Sequence, residues 1–281
     1  MEKKIAFITG ASRGIGKATA KAMADAGFDV IITARTLKEG EKHEHRVPTS
    51  DGKPLPGSLE ITAEAIRGCG GNALSLRMDL LDMASIDTAV EKAIAEWGHI
   101  DVLINNATFQ GKGLNEPFEQ QQVEDLERVF RGNVLAPFYL TKKIALHMIE
   151  RGGGIIINLT SGAALIDPPA PVWEGTWGFS YSASKAAFHR LAGILNVELG
   201  IKGIFAYNLE PGVVTSEAML ALLGDKGLEN RYGSAPPEVP AAVIRWLATE
   251  AEAGDLLGKT IYAQSFCRKK GLVPGWPPSK A

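Results

Sequence analysis

Cysteine is scarce in this chain, with Cys69 and Cys267 the two among 281 residues. They make neither a disulfide framework nor a metal-ligand spacing, so a reducing, cytoplasmic setting is expected. Nor does one sign of charge prevail. The 30 Lys and Arg against 32 Asp and Glu leave a formal net charge of -2, which excludes the basic footprint of a protein that binds nucleic acid or an anionic bilayer. No apolar run reaches membrane-spanning length. The opening Met-Glu-Lys-Lys leads into an apolar strand rather than a leader's apolar core, so neither anchor nor targeting segment is expected. His43, His45, His99, His147 and His189 show no ligand spacing, and no catalytic metal is expected. Internal repeats and low-complexity segments are missing too. What these absences leave is a small-molecule partner.

What is present is an apolar content of 45% with no compositional break, enough for one large core and a single domain over 1–281. Strand-like runs alternate with amphipathic helical stretches. Strands are expected at Ile5–Thr9, Val30–Thr33, Ala73–Met78, Val102–Ile104, Ile155–Leu159, Ile204–Asn208 and Thr260–Ala263. Helices are expected near 15–26, 59–67, 86–97, 123–150, 181–199 and 240–249, with a short one at 218–223. Such alternation predicts an α/β fold, a doubly wound parallel sheet with helices on both faces, and a ligand at the carboxyl ends of the strands. Segments 36–57, 162–179 and 215–237 break the rhythm, and the last two stand where a substrate pocket is expected.

Thr9-Gly10-Ala-Ser12-Arg13-Gly14-Ile15-Gly16 follows the first strand and opens the first helix. Gly10 allows the tight turn, Gly14 lets backbone approach a pyrophosphate, and Gly16 allows close packing, while the helix N-terminus favours an anion. The second strand ends Thr33-Ala34-Arg35, without the carboxylate that would accept from adenosine ribose hydroxyls. Arg35 and Arg13 can converge on a 2′-phosphate, which favours NADP(H) over NAD(H). Lys38, Lys42 and Arg46 are interleaved with Glu39, Glu41 and Glu44, and that run reads as a solvated loop. Asp79, followed by Leu80, is placed to accept from the adenine amino group. Asn106 and Ala107 are placed to hold the fourth-strand loop against the cofactor, with Asn105 structural.

Tyr181-Ser-Ala-Ser-Lys185 sets a phenol and an ammonium on one face of a helix. The Lys185 charge favours ionisation of Tyr181, which makes the phenol a proton donor to a carbonyl and an acceptor from an alcohol.

These motifs, in this order, resemble the short-chain dehydrogenase/reductase family from Lys4 to about Ala263, through Thr9–Gly16, Asp79, Asn105–Ala107, Asn133, Ser161, Tyr181, Lys185 and Pro211-Gly212. The resemblance implies a Rossmann-type sheet, NAD(P)-dependent interconversion of an alcohol and a carbonyl, and a homodimer or homotetramer built on helices 123–150 and 181–199. It implies Tyr181 as acid/base, Ser161 bonded to the substrate oxygen, Lys185 on the nicotinamide ribose, and Asn133 supporting a water in the proton path. Pro137 has no N–H for the Asn133 carbonyl four residues earlier, which leaves that oxygen for a water. Pro211, Gly212, Val214 and Thr215 match the segment passing the nicotinamide carboxamide. Thr160 competes with Ser161, but alternation sends the two side chains to opposite faces.

Three departures bear on the substrate: Thr108 where the family motif ends in glycine, a longer gap from Ser161 to Tyr181 carrying Trp173 and Trp177, and the expanded loop after Arg35. The insert is a candidate pocket wall or oligomer contact. Leu165, Ile166, Trp173, Met219, Leu220 and Leu223 point to a small hydrophobic carbonyl or alcohol substrate. His189 reads as a surface or interface histidine. The competing function is a non-catalytic NADP(H)-binding module that senses redox state or scaffolds a partner.

Overall fold

Ile5–Thr9 forms the central strand β1 with all five residues buried, as expected of a parallel strand covered on both faces. The structure, a computed structural model, describes residues 2–45, 49, 52–223 and 233–277. Around β1 run β2 (Asp29–Ala34), β3 (Ala73–Arg77), β4 (Val102–Asn105), β5 (Gly154–Leu159), β6 (Ile204–Glu210) and β7 (Thr260–Tyr262). All pair in parallel, in the order β3-β2-β1-β4-β5-β6-β7. The order reverses between β1 and β4, so a crevice opens at their carboxyl ends.

Alternation along β1 sends Ala6 and Ile8 to one layer and Ile5 and Phe7 to the other. The first layer holds α1 (Gly14–Asp25), α2 (Leu59–Gly68) and α8 (Glu238–Thr249). The second holds α3 (Met83–Trp97), α5 (Ala136–Glu150) and α6 (Phe179–Leu199). Ser58 starts α2 by accepting from Ile61 N–H at 3.2 Å, and Asp82 starts α3 by accepting from Ala84 N–H at 3.0 Å.

The helical stretch expected over 123–150 divides into α4 (Val123–Phe130), a π-helical turn at Arg131–Leu135, and α5. The short helix α7 spans Glu217–Leu223. A further helix, α9 (Ala263–Lys270), begins directly after β7, where the sequence reads as the last strand's end. It buries only Ala263 and Cys267, too few apolar positions for a period to show, and it packs through Phe266 against Trp246 of α8. No described helix is long and apolar enough to cross a membrane.

Candidate active site

The β1–α1 turn is built by contacts that only glycine permits. Gly10 has φ +70°, and a Cβ there would stand 2.8 Å from Asn106 Nδ2. At Gly16 a Cβ would stand 2.2 Å from the Gly10 carbonyl oxygen, so helix and turn touch through bare backbone. Asn106 locks the turn to β4 by donating from Nδ2 to the Thr9 and Gly10 carbonyls at 2.7 and 3.1 Å. The Thr9 hydroxyl accepts from Asn106 and Ala107 N–H. Asn105 turns away from this cleft and donates to Asn158 Oδ1 on β5 and to Thr141 Oγ1 on α5.

The crevice is a cleft of about 730 Å³. Gly10, Ser12, Arg13, Gly14 and Ile15 line one part of it, and Arg35, Asp79, Leu80, Asn106 and Ala107 another. Tyr181 and Val214 also line it, together with Thr108, Ser216 and Met219. Gly14 has φ +55°, and its N–H donates to Glu217 Oε2 at 2.7 Å. A carboxylate thus stands at the N-terminus of α1, where the backbone favours an anion. Burial opposes ionisation of Glu217, but hydrogen bonds from backbone N–H groups and the Lys17 charge hold its carboxyl below the ordinary value.

The run from Lys38 to Glu44 is mostly exposed, as its mixed charges suggest, and its charges are also paired. Among the described residues of this run, Glu39 accepts from Gly57 N–H, Glu41 from Arg77, and Glu44 from Arg128 and Lys112 N–H. The hydrogen bond from Arg77 is the main cause that holds the Glu41 carboxyl down at about 2. Closed in this way, the segment places Lys42, His43, His45 and Lys53 on the cleft; Arg46 lies outside the described residues. Arg13 donates from Nε to the Pro56 carbonyl at 2.7 Å and from Nη2 to those of Leu55 and Gly57. Arg35 donates to the Glu44 carbonyl at 3.1 Å. Burial lowers the Arg13 pKa against the pull of Glu39 and Glu217, and the Arg35 charge lowers it further. Asp79 Oδ1 accepts from Leu81 N–H at 2.9 Å, which leaves Oδ2 for a donor from outside.

On α6, Lys185 is 5% exposed. Its Nζ donates to the Leu159 carbonyl at the end of β5 and to Thr108 Oγ1 beyond β4, both at 3.0 Å, and lies 6.0 Å from the centroid of the Tyr181 ring. Burial pushes Lys185 down to about 8. Asn133 sits in the π-helical turn, a wide turn often found at functional sites. Its side chain accepts from Phe109 N–H at 2.8 Å and donates to Ser184 Oγ at 3.2 Å.

Ser161 opens a 3₁₀ turn, Oγ accepting from Ala163 N–H at 3.2 Å. Thr160 is spent elsewhere, hydrogen-bonded to His189 Nδ1 at 3.1 Å, while His189 Nε2 meets Thr260 Oγ1 at 3.2 Å. His189 is therefore a half-buried tie between β5 and β7, not a surface histidine, and burial lowers its pKa. Pro211 and Gly212 follow β6, where Glu210 Oε1 accepts from Gly162 and Gly212 N–H and so joins this loop to the turn behind Ser161. The Val213 carbonyl accepts from Gln264 Nε2 and Ala235 N–H, Thr215 N–H donates to the Ala235 carbonyl, and the Thr215 hydroxyl bonds Ser234.

No residue of 162–179 lines the cleft, although the insert reads as a candidate pocket wall. It folds on itself through Thr176 to the Ala170 carbonyl and is pinned by Asn115 to Gly178 N–H, with Trp173 72% exposed. Of the apolar candidates for the substrate face, Met219 reaches the cleft; Leu165, Ile166 and Leu220 are exposed, and the Leu223 side chain lies outside the described residues. Glu210, Glu217, Gln264 and the Thr108 contact have no motif by which to find them.

A family model described as short chain dehydrogenase matches residues 4–56 and 52–226. A 3-oxoacyl-[acyl-carrier-protein] reductase of Synechocystis is 29% identical over 261 residues, covering 92% of this chain and 94% of its own. Among solved structures, a 7α-hydroxysteroid dehydrogenase complexed with NADH and 7-oxo glycochenodeoxycholic acid superposes with TM-score 0.73 at 27% identity, covering 92% of each chain. A metagenomic short-chain oxidoreductase in complex with NADP gives TM-score 0.67 at 26% identity over 89% of this chain and 92% of that one.

Proposed function

Because the chain belongs to the short-chain dehydrogenase family, we propose that it is an NADP(H)-dependent oxidoreductase interconverting a ketone or aldehyde and the corresponding alcohol. One observation carries this reading: Tyr181 lines the same cleft as the glycine turn, with Lys185 buried one helical turn further on. When bound, the nicotinamide supplies or accepts the hydride. Tyr181 donates its phenolic proton to the substrate oxygen in reduction and takes one from the alcohol in oxidation. Ser161 orients that oxygen. Lys185 binds the ribose and favours loss of the phenolic proton, and Asn133 continues the proton path through its main-chain carbonyl.

NADP(H) over NAD(H) is supported by two guanidiniums, Arg13 and Arg35, at the end of a β2 that carries no carboxylate at its tip. The substrate is a small hydrophobic carbonyl or alcohol. A single catalytic domain in a cytoplasmic homodimer or homotetramer completes the reading. Exposed Leu135, Phe138 and Leu146 near or on α5, and Ile194 and Val197 on α6, support pairing through these helices.

The test is NADPH absorbance over a panel of 3-oxoacyl thioesters and oxosteroids, for wild type and Tyr181→Phe. Wild type is expected to turn over at least one compound, and the variant to lose about a hundred- to ten-thousandfold in kcat with cofactor binding intact. A wild type that binds NADPH and reduces nothing would favour the non-catalytic binding module.

A further inference from the structure

Thr108 occupies the position at which the family motif carries glycine, and its hydroxyl is 3.0 Å from Lys185 Nζ. An ammonium has three donors. One goes to the Leu159 carbonyl, one to Thr108, and a third is left for a ligand or for Tyr181. The contact is braced on both sides. Thr9 Oγ1 holds Asn106 and Ala107, just before Thr108, and Asn133 Oδ1 holds Phe109, just after it. The other end of the Asn133 amide holds Ser184, next to Lys185. One asparagine side chain thus spaces the segment bearing the hydroxyl from the helix bearing the amine.

We propose that Thr108 is a positioning residue for the acid/base pair: its hydroxyl accepts from Lys185 Nζ, keeps that amine protonated and fixes it beside Tyr181, with the Asn133 side chain as the common brace. The proposal rests on the reading of Tyr181 as acid/base. Its physical basis is that a charge removed from water needs fixed acceptors. Lys185 is nearly sealed from solvent, and burial alone draws its proton off. A hydroxyl acceptor opposes that loss. A glycine offers no side-chain acceptor, so at that position water would have to serve; here the acceptor is part of the chain and its place is set by β4. The same hydroxyl can donate onward while it accepts, which the Leu159 carbonyl cannot do.

The experiment follows the carbon-13 NMR titration of the Lys185 ε-carbon, assigned by its loss in Lys185→Met, in wild type, Thr108→Val, Thr108→Ala and Thr108→Ser. The two variants without a hydroxyl are expected to titrate about half to one pH unit lower, and Thr108→Ser to return to the wild-type midpoint. With a carbonyl substrate, kcat falls about three- to tenfold in Thr108→Val and KM changes little. NADPH affinity within about twofold of wild type establishes that the cradle is intact. One midpoint common to wild type and all three variants overturns the proposal while leaving the oxidoreductase reading in place. Conversely, a Tyr181→Phe protein that reduces carbonyls at the wild-type rate sinks that reading, and the NMR titration still decides whether the hydroxyl governs the amine.

Discussion

The Glu217 carboxylate accepts from Gly14 N–H at 2.7 Å and pairs with Lys17 at 3.3 Å, so an acid of α7 sits on the N-terminus of α1. A cofactor pyrophosphate seeks the same N–H groups. If the pyrophosphate binds at this turn, the two anions would exclude one another and apparent cofactor affinity would be lowered by the fraction of molecules in which Glu217 holds it. Glu217→Ala is expected to tighten NADPH binding about two- to tenfold, as read by fluorescence titration. Weaker binding in the variant would show that Glu217 supports the cofactor and does not compete with it.

Arg35 donates to the Glu44 carbonyl at 3.1 Å and lines the cleft at the end of β2. Removing its guanidinium from a 2′-phosphate deletes a charge-assisted contact. For Arg35→Ala, the NADPH dissociation constant is expected to rise about tenfold or more while that for NADH stays within about twofold. Equal affinity of the wild-type protein for both cofactors would overturn the NADP(H) assignment.

Lys185 has a folded-state value of about 8, below the ordinary lysine range, so its charge costs stability in the folded protein. Between about pH 8 and 10.5 the unfolded chain binds the extra proton, and stability from this group therefore rises with pH across that window. Urea unfolding at pH 7.5 and 9.5 is expected to show wild type gaining roughly 1–2 kcal/mol relative to Lys185→Met. No relative gain would mean that the amine is not desolvated as the structure has it.

Much of this molecule can be read along the chain. The seven strands, their alternation with helices and the glycine turn rest on residues near one another in sequence, where period and composition leave a signature. Gly16 is required by backbone contact within one turn, and Gly10 by its local φ of +70°, although the atoms a Cβ there would meet, Asn106 and Ala107, are far along the chain. The run from Lys38 to Glu44 is exposed, as its alternating charges suggest, but the partners of those charges are far along the chain: Glu44 reaches Arg128 and Glu41 reaches Arg77. His189 misleads because nothing beside it announces Thr160 and Thr260.

By itself the sequence determined the parallel α/β order, the place of the glycine turn and the Tyr181–Lys185 pair, because each is written in local spacing. Tertiary structure alone decided what those groups touch. Thr108 meets Lys185 across 77 positions, and Glu217 meets Gly14 across 203. Contacts of that span depend on how β4 is set beside α6 and α1 beside α7 in the folded chain, and such placement leaves no periodic trace in the sequence.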